Sequence, residues 1–163
     1  MSSGYKTQIT RQIGEHLVVA ELGKRGIIAT PFAGNVPDYD ILASDTFGHS
    51  LPIQVKTING QSWQFNIELF LDIDFRKNGL QIVKGKKRLN NPNLICVFVL
   101  LNNDCDKYFI FQLKNLQDYF ARNYKNRKRP KNPKSTHCVI FPNDLIKFEN
   151  KWELITDKLK AVE

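Results

Sequence analysis

Residues 36–57 read VPDYDILASDTFGHSLPIQVKT, and the fold turns on how this stretch is read. Two runs have strand composition, Asp40-Ile41-Leu42-Ala43 and Leu51-Pro52-Ile53-Gln54-Val55-Lys56. The segment between them, Ser44–Ser50, is polar and carries turn residues, so the stretch predicts an antiparallel hairpin. Side chains alternate along a strand, which puts Gln54 and Lys56 on one face and Ile53 and Val55 on the other. A hairpin sets the head of its first strand beside the end of its second. Asp40 and Lys56 then converge at one end, and a carboxylate beside a lysine there is the minimal equipment for metal-assisted phosphodiester hydrolysis.

Outward from the hairpin, Thr7 to Gly26 predicts a helix through Ile9, Ile13, Leu17, Ala20 and Lys24, with Val18 and Leu22 widening its apolar side. Glu15 lies at the margin of that side, either as an ordinary boundary charge or within reach of a metal. Ile27–Phe32 predicts a strand, followed by a turn at Ala33-Gly34-Asn35. Beyond Lys56, Trp63, Phe65 and Ile67 alternate with polar residues as a strand does, while Leu69–Phe75 fits strand or helix alike. Residues 79–88, GLQIVKGKKR, read as a turn, a short strand and a basic exit. Leu94–Leu101 is the best buried strand, and Tyr108–Leu113 its hairpin partner. Asn115–Asn123 has helical spacing, Lys125–Lys134 is a basic loop broken by prolines, and His137–Phe141 is a short strand. A last helical stretch runs from Asn143 or Asp144 to about Leu159. No repeat or composition break appears, so residues 1–163 read as one domain.

The 163 residues suffice for a substantial core without disulfides. Cys96, Cys105 and Cys138 are odd in number and form no CxxC pair, which favours reduced thiols in the cytoplasm over a zinc site. The polar N-terminus has no signal-peptide core, and no apolar run is long enough to cross a membrane. Net charge is +8, unevenly spread. Residues 1–82 carry 7 Lys/Arg against 8 Asp/Glu, whereas residues 83–163 carry 17 against 8. A polyanionic partner, most simply nucleic acid, follows more naturally from that asymmetry than mere solubility does.

A helix with Gly14-Glu15, Leu22 and Gly26, then a strand, then Pro37-Asp38-Tyr39-Asp40-Ile41-Leu42-Ala43 and Ile53-Gln54-Val55-Lys56-Thr57, resembles the PD-(D/E)XK nuclease superfamily. That group takes in restriction endonucleases, Holliday junction resolvases and some homing endonucleases. The resemblance covers about residues 7–60. It implies an α/β (α+β) restriction-endonuclease-like core, a central mixed β-sheet flanked by helices in αβββαβ-type order. The chain departs from the pattern at Gln54, where the superfamily usually has Asp or Glu. An amide oxygen is a poorer Mg²⁺ ligand than a carboxylate, so Asp40 and Glu15 must carry most of the charge.

Asp40, leading straight into an apolar strand, is the expected principal metal ligand, and Asp38 the expected turn residue after Pro37. Gln54 offers its carbonyl to the metal or to a metal-bound water. The Val55 backbone carbonyl is a further ligand that the resemblance implies. Lys56 positions the attacking water or stabilises charge building on the phosphate; alone, it would be only the solvent side of a sheet. These oxygen donors suit Mg²⁺ or Mn²⁺ and argue against zinc. His49 and His137 lack partners at ligand spacing. Lys84, Lys86, Lys87 and Arg88, with Lys125, Arg127, Lys128, Arg129, Lys131 and Lys134, are the expected contacts to a phosphate backbone, unless they are only solvated loops. Trp63 and Phe65 are expected in the core rather than stacked on bases.

The sequence therefore supports a metal-dependent DNA endonuclease. A catalytically inactive nucleic-acid binder on a degenerate nuclease core is the alternative that Gln54 keeps open. An accessory protein using the fold for protein contacts is compatible but unprompted. Cutting both strands with one small site favours a homodimer.

Overall fold

The computed structural model describes residues 3–32, 38–128 and 131–160. The expected turn at Ala33-Gly34-Asn35, together with Val36, Pro37, Arg129 and Pro130, lies outside the described residues, as does the side chain of Arg127. Along the chain run α1 (Ser3–Gly23), β1 (Ile28–Pro31), β2 (Ile41–Ser44), β3 (Ser50–Ile58), β4 (Trp63–Asn66), β5 (Leu71–Phe75) and β6 (Leu80–Lys86). There follow β7 (Ile95–Leu100), β8 (Lys107–Gln112), α2 (Leu113–Asn123), β9 (Arg127–Lys128), β10 (His137–Ile140) and α3 (Glu153–Lys160). The chain divides into two compact units, residues 1–63, 94–111 and 141–163 in the first and residues 64–93 and 112–140 in the second.

The first unit is built on a mixed sheet in the order β1-β2-β3-β7-β8. The predicted hairpin is there, with β2 and β3 antiparallel and Ile41 opposite Ile53. Its turn is held by the Asp45 carboxylate, whose Oδ1 accepts the N–H groups of Phe47 and His49, each at 2.9 Å. Gly48, at φ 93°, supplies the left-handed residue that the turn needs. β7 pairs in parallel with β3, setting Gln54 opposite Cys96 and Lys56 opposite Phe98. Parallel strands need a long crossover, and residues 59–94 provide it with β4, β5 and β6.

One face of this sheet carries Ile53 and Val55 on β3 with Ile95, Val97 and Val99 on β7, and packs with Val18 and Leu22 of α1 and Ile155 and Leu159 of α3. The helix is there, starting four residues before Thr7 and ending before Gly26, but its buried side runs through Val18 and Leu22, whereas Ile9 and Ile13, expected on the apolar side, are exposed at 37% and 41%. The other face holds an aromatic group from the same unit, with Trp63 5.1 Å from Phe98 and 5.8 Å from Phe109, centroid to centroid. The expected helix from Asn143 to Leu159 is two pieces, a 3₁₀ segment over Pro142–Phe148 and then α3. Asn150 breaks it at φ 56°, and its N–H donates to Tyr108 O at 2.9 Å, a long-range bond that helical periodicity does not reveal.

In the second unit β5, β6 and β9 form one sheet, and β10 pairs with β4. Phe65, Phe70 and Phe120 pack edge-on or tilted, at 4.9–5.9 Å between centroids. Leu69–Phe75, which fitted helix or strand, is strand from Leu71. The basic stretch expected as a loop contributes β9, because Arg127 and Lys128 pair with Gln81 and Leu80 on the edge of β6. The buried Gln81 ties the same stretch down: its amide donates to Pro133 O and Ser135 O (2.7 and 2.9 Å), and its oxygen accepts from Tyr124.

Candidate active site

Asp40 is held by three hydrogen bonds where β2 begins. Its N–H donates to Ile53 O (2.9 Å), its C=O accepts from Phe32 N (3.0 Å), and its carboxylate Oδ2 accepts the Val55 N–H at 2.8 Å. The side chain thus stands where the next backbone carbonyl of the β2–β3 ladder would be. Within a strand the N–H and C=O of one residue point to the same edge, so the Val55 carbonyl faces the side of β3 on which Asp40 lies. Gln54 precedes Val55 and Lys56 follows it, both half-buried and on the face opposite Ile53 and Val55. The Gln54 amide makes no hydrogen bond to any described residue. The Lys56 carbonyl accepts the Trp63 indole N–H at 2.9 Å, which anchors the end of β3 to the aromatic side of the sheet.

Electrostatics tie Asp40 and Lys56 together through Cys96. Burial pushes that thiol up to about 12; Lys56 pulls it down and Asp40 pushes it up, so the sulfur sits in the field of both.

Glu15 arrives from α1. It is 7% exposed, and its Oε1 accepts the Arg11 Nε–H at 2.9 Å, an i,i+4 ion pair. Its helix is pressed onto β3 at Gly14, where an ideal Cβ would lie 1.7 Å from Thr57 Oγ1. Only glycine permits that approach. α1 packs on the Val55 face, so Glu15 belongs to the side of the sheet opposite Gln54 and Lys56. Asp40 is bonded to Val55 on the β2 side of β3, Gln54 and Lys56 flank Val55 along the strand, and Glu15 comes from the helix that covers the reverse face.

The donor chemistry fits a hard cation. Carboxylate, amide and backbone oxygens are what Mg²⁺ and Mn²⁺ take, with waters completing the shell. Among the described residues no group of three His, Cys, Asp or Glu side chains could hold a metal ion, so the set is low in charge, as the glutamine at position 54 implies. His49 is engaged by Asp45 (2.8 Å), and His137 by Gln64. Trp63 and Phe65 are core residues, 2% and 8% exposed.

The basic residues all belong to the second unit. Lys84 lies 3.7 Å from Asp74, and Lys86 2.6 Å from Asp118. Lys87 is half-buried, its carbonyl accepting from Gln117 Nε2 at 2.7 Å. Arg88, Lys125, Lys128, Lys131 and Lys134 are exposed. Sequence reasoning missed Arg11, which the i,i+4 spacing to Glu15 would have flagged. It also missed the Gly14–Thr57 contact, which carries no local signal.

No family model matches the sequence, and no curated protein matches it. Among solved structures, the bacterial homing endonuclease I-Ssp6803I is similar in fold, with a TM-score of 0.55 at 14% identity over 95% of this chain and 96% of that one. Hjc, a Holliday junction resolvase of the archaeon Archaeoglobus fulgidus, aligns with a TM-score of 0.41 at 16% identity over 82% of this chain and 92% of that one. The likeness to the first of these extends over nearly the whole of both chains and shows a shared fold, a mixed α/β architecture with a central mixed sheet flanked by helices.

Proposed function

We propose that this protein is a metal-dependent endonuclease that hydrolyses phosphodiester bonds in DNA. The observation that carries the reading is the Asp40 carboxylate seated on the Val55 N–H, between Gln54 and Lys56. In this reading Asp40, the Gln54 amide oxygen and the Val55 carbonyl hold a Mg²⁺ or Mn²⁺ ion, and Glu15, on the side of the sheet that α1 covers, contributes negative charge rather than a ligand oxygen. When bound, that ion supplies Lewis acidity toward the phosphate and toward its own water. Asp40 is pre-oriented, because one of its oxygens is held by the Val55 N–H. Lys56 orients the attacking water or stabilises charge gathering on the phosphate oxygens. Arg11 pairs with the Glu15 carboxylate from one turn earlier on α1. The exposed lysines of the second unit add affinity for the backbone without sequence information.

A second reading, a DNA binder that no longer cuts, is favoured by the low-charge donor set around Gln54. Nicking of supercoiled plasmid in Mg²⁺ and, separately, Mn²⁺ decides between the two. Nicking that Asp40→Ala and Lys56→Ala both abolish supports the enzyme. A gel shift with no nicking in either metal supports the binder, and neither result would point to a protein partner.

A further inference from the structure

The side chain of Gln117, on α2, is fixed as a hydrogen-bond acceptor. It is 7% exposed, and its amide nitrogen donates to Phe70 O at 2.9 Å and to Lys87 O at 2.7 Å. Both partners are carbonyls, so the atom between them must be the nitrogen, and both of its hydrogens are engaged. The amide oxygen accepts from no described residue. Nor is it sealed in, because among the described residues Thr57 Oγ1 is the buried side-chain polar atom that lacks a partner. The oxygen therefore opens outward, and the space that Gln117 borders is a pocket of about 680 Å³. That volume lies in the range of ligand sites, roughly 300–1,000 Å³.

Leu89 and Pro92 give the pocket apolar walls, and Arg88 and Asn90 polar ones, all within the second unit. Lys114 of α2 pins this loop, its N–H donating to Pro92 O at 2.9 Å and its Nζ to Asn93 Oδ1 at 3.3 Å. Among the described residues Arg88 pairs with no carboxylate and Asn90 makes no hydrogen bond. A ligand must then bring a donor to Gln117, a flat apolar face to Leu89 and Pro92, and acceptors or negative charge to Asn90 and Arg88. A nucleotide whose base is turned out of the stack brings all of these: an exocyclic amino group, a ring, ring acceptors and a phosphate. We infer that this pocket binds an unpaired base of DNA that carries an amino group, with Gln117 accepting from that group and Arg88 holding the nucleotide's phosphate. Thymine, which has no amino group, is disfavoured. The inference rests on the reading of the chain as a protein that acts on DNA, and it gives that reading a substrate class, DNA with an unpaired nucleotide.

The test is the affinity of the full chain, without divalent metal, for three short DNA duplexes. One has a single unpaired adenine, one has purine (the same ring without the amino group) at that position, and one is fully paired. The wild type is expected to bind the adenine duplex about three- to tenfold more tightly than the purine duplex, the span one hydrogen bond carries. Asn90→Ala should weaken binding of the adenine duplex several-fold and leave the paired duplex unchanged. Gln117→Leu, which keeps most of the bulk and brings no acceptor, should erase the difference between adenine and purine. If that variant does not fold, the wild-type and Asn90→Ala comparisons decide. Equal wild-type affinity for adenine and purine overturns the pocket, as does a preference that a folded Gln117→Leu chain retains. A preference for free deoxyadenosine over purine deoxyriboside that is absent with the duplexes also overturns it, making the ligand a free nucleotide. Binding of all three duplexes alike removes the pocket alone, whereas binding of none removes the reading of the chain as acting on DNA and the pocket with it.

Discussion

The Asp40 carboxylate accepts the backbone N–H of Val55 at 2.8 Å, a side chain standing in for a strand. The bond serves structure and chemistry together, since it continues the β2–β3 ladder and fixes the direction of the second carboxylate oxygen. The two roles separate by substitution. Asp40→Asn keeps an acceptor for Val55 and should melt in urea within about 0.5 kcal/mol of wild type. Asp40→Ala strands the N–H and should lose about 1–2 kcal/mol. Both should lose nicking. Wild-type nicking by Asp40→Asn would take Asp40 away from the metal.

Gly14 allows α1 to touch β3, with an ideal Cβ there only 1.7 Å from Thr57 Oγ1 and 2.7 Å from Thr57 Cβ. Gly14→Ala should therefore destabilise the chain by about 1–3 kcal/mol through overpacking, although alanine is the better helix former. Thr57→Ala in the same chain removes the nearer atom and should restore part of the loss. Denaturant midpoints of the two single variants and the double variant give the coupling directly. A Gly14→Ala chain as stable as wild type would show that α1 does not press on β3.

Gln54 leaves the donor set one negative charge short of an acidic residue. Gln54→Glu should lower the Mg²⁺ concentration that half-saturates nicking, because carboxylates bind the hard ion better than amides. Gln54→Ala should raise it. A Mg²⁺ titration that both variants leave unmoved would place Gln54 away from the ion.

Lys84 and Lys86 already face Asp74 and Asp118 within the protein, whereas Lys125, Lys128, Lys131 and Lys134 are exposed. Reversing the charge of the second group should weaken DNA binding and flatten its salt dependence more than neutralising Lys84 and Lys86. Equal salt slopes after the two sets of changes would contradict this ordering.

Alkali should loosen the fold. Burial raises the Cys96 thiol from 9.0 to about 12, and burial with the nearby Asp106 raises the Tyr108 phenol from 10.0 to about 12. The folded chain keeps both protons where the unfolded chain gives them up, so it binds more protons over that interval. The stability these groups confer is whole below about pH 9 and is lost as the pH climbs toward about 12. Urea midpoints should fall from about pH 9 upward, and Cys96→Val should lessen the fall. An identical decline in that variant would assign it to other groups.

The hairpin, α1 and the buried strand β7 were legible because each is a local pattern. Alternation in Ile53-Gln54-Val55-Lys56, the three-four spacing of Val18 and Leu22, and the unbroken apolar run of β7 report their own secondary structure. Leu71–Phe75 was ambiguous, since a short run with acids at 72 and 74 meets both templates; pairing with β6 decided it. β9 and the break at Asn150 were illegible for the same reason, both depending on partners distant in sequence, Leu80 and Gln81 for one and Tyr108 for the other. At the candidate site, Asp40, Gln54 and Lys56 could be named from residue type and spacing. The bond that seats Asp40 spans fifteen residues and could not.

The sequence by itself determined the residue types of the site, the strand faces they occupy and the concentration of positive charge in the second half, because composition and a period of two are properties of neighbours along the chain. Tertiary structure decided that Asp40 meets Val55 across the hairpin and which face of the sheet α1 covers. Those outcomes depend on the close approach at Gly14, the parallel pairing of β3 with β7 and the capture of the Val55 amide by Asp40. Each joins parts of the chain that meet only when the core closes.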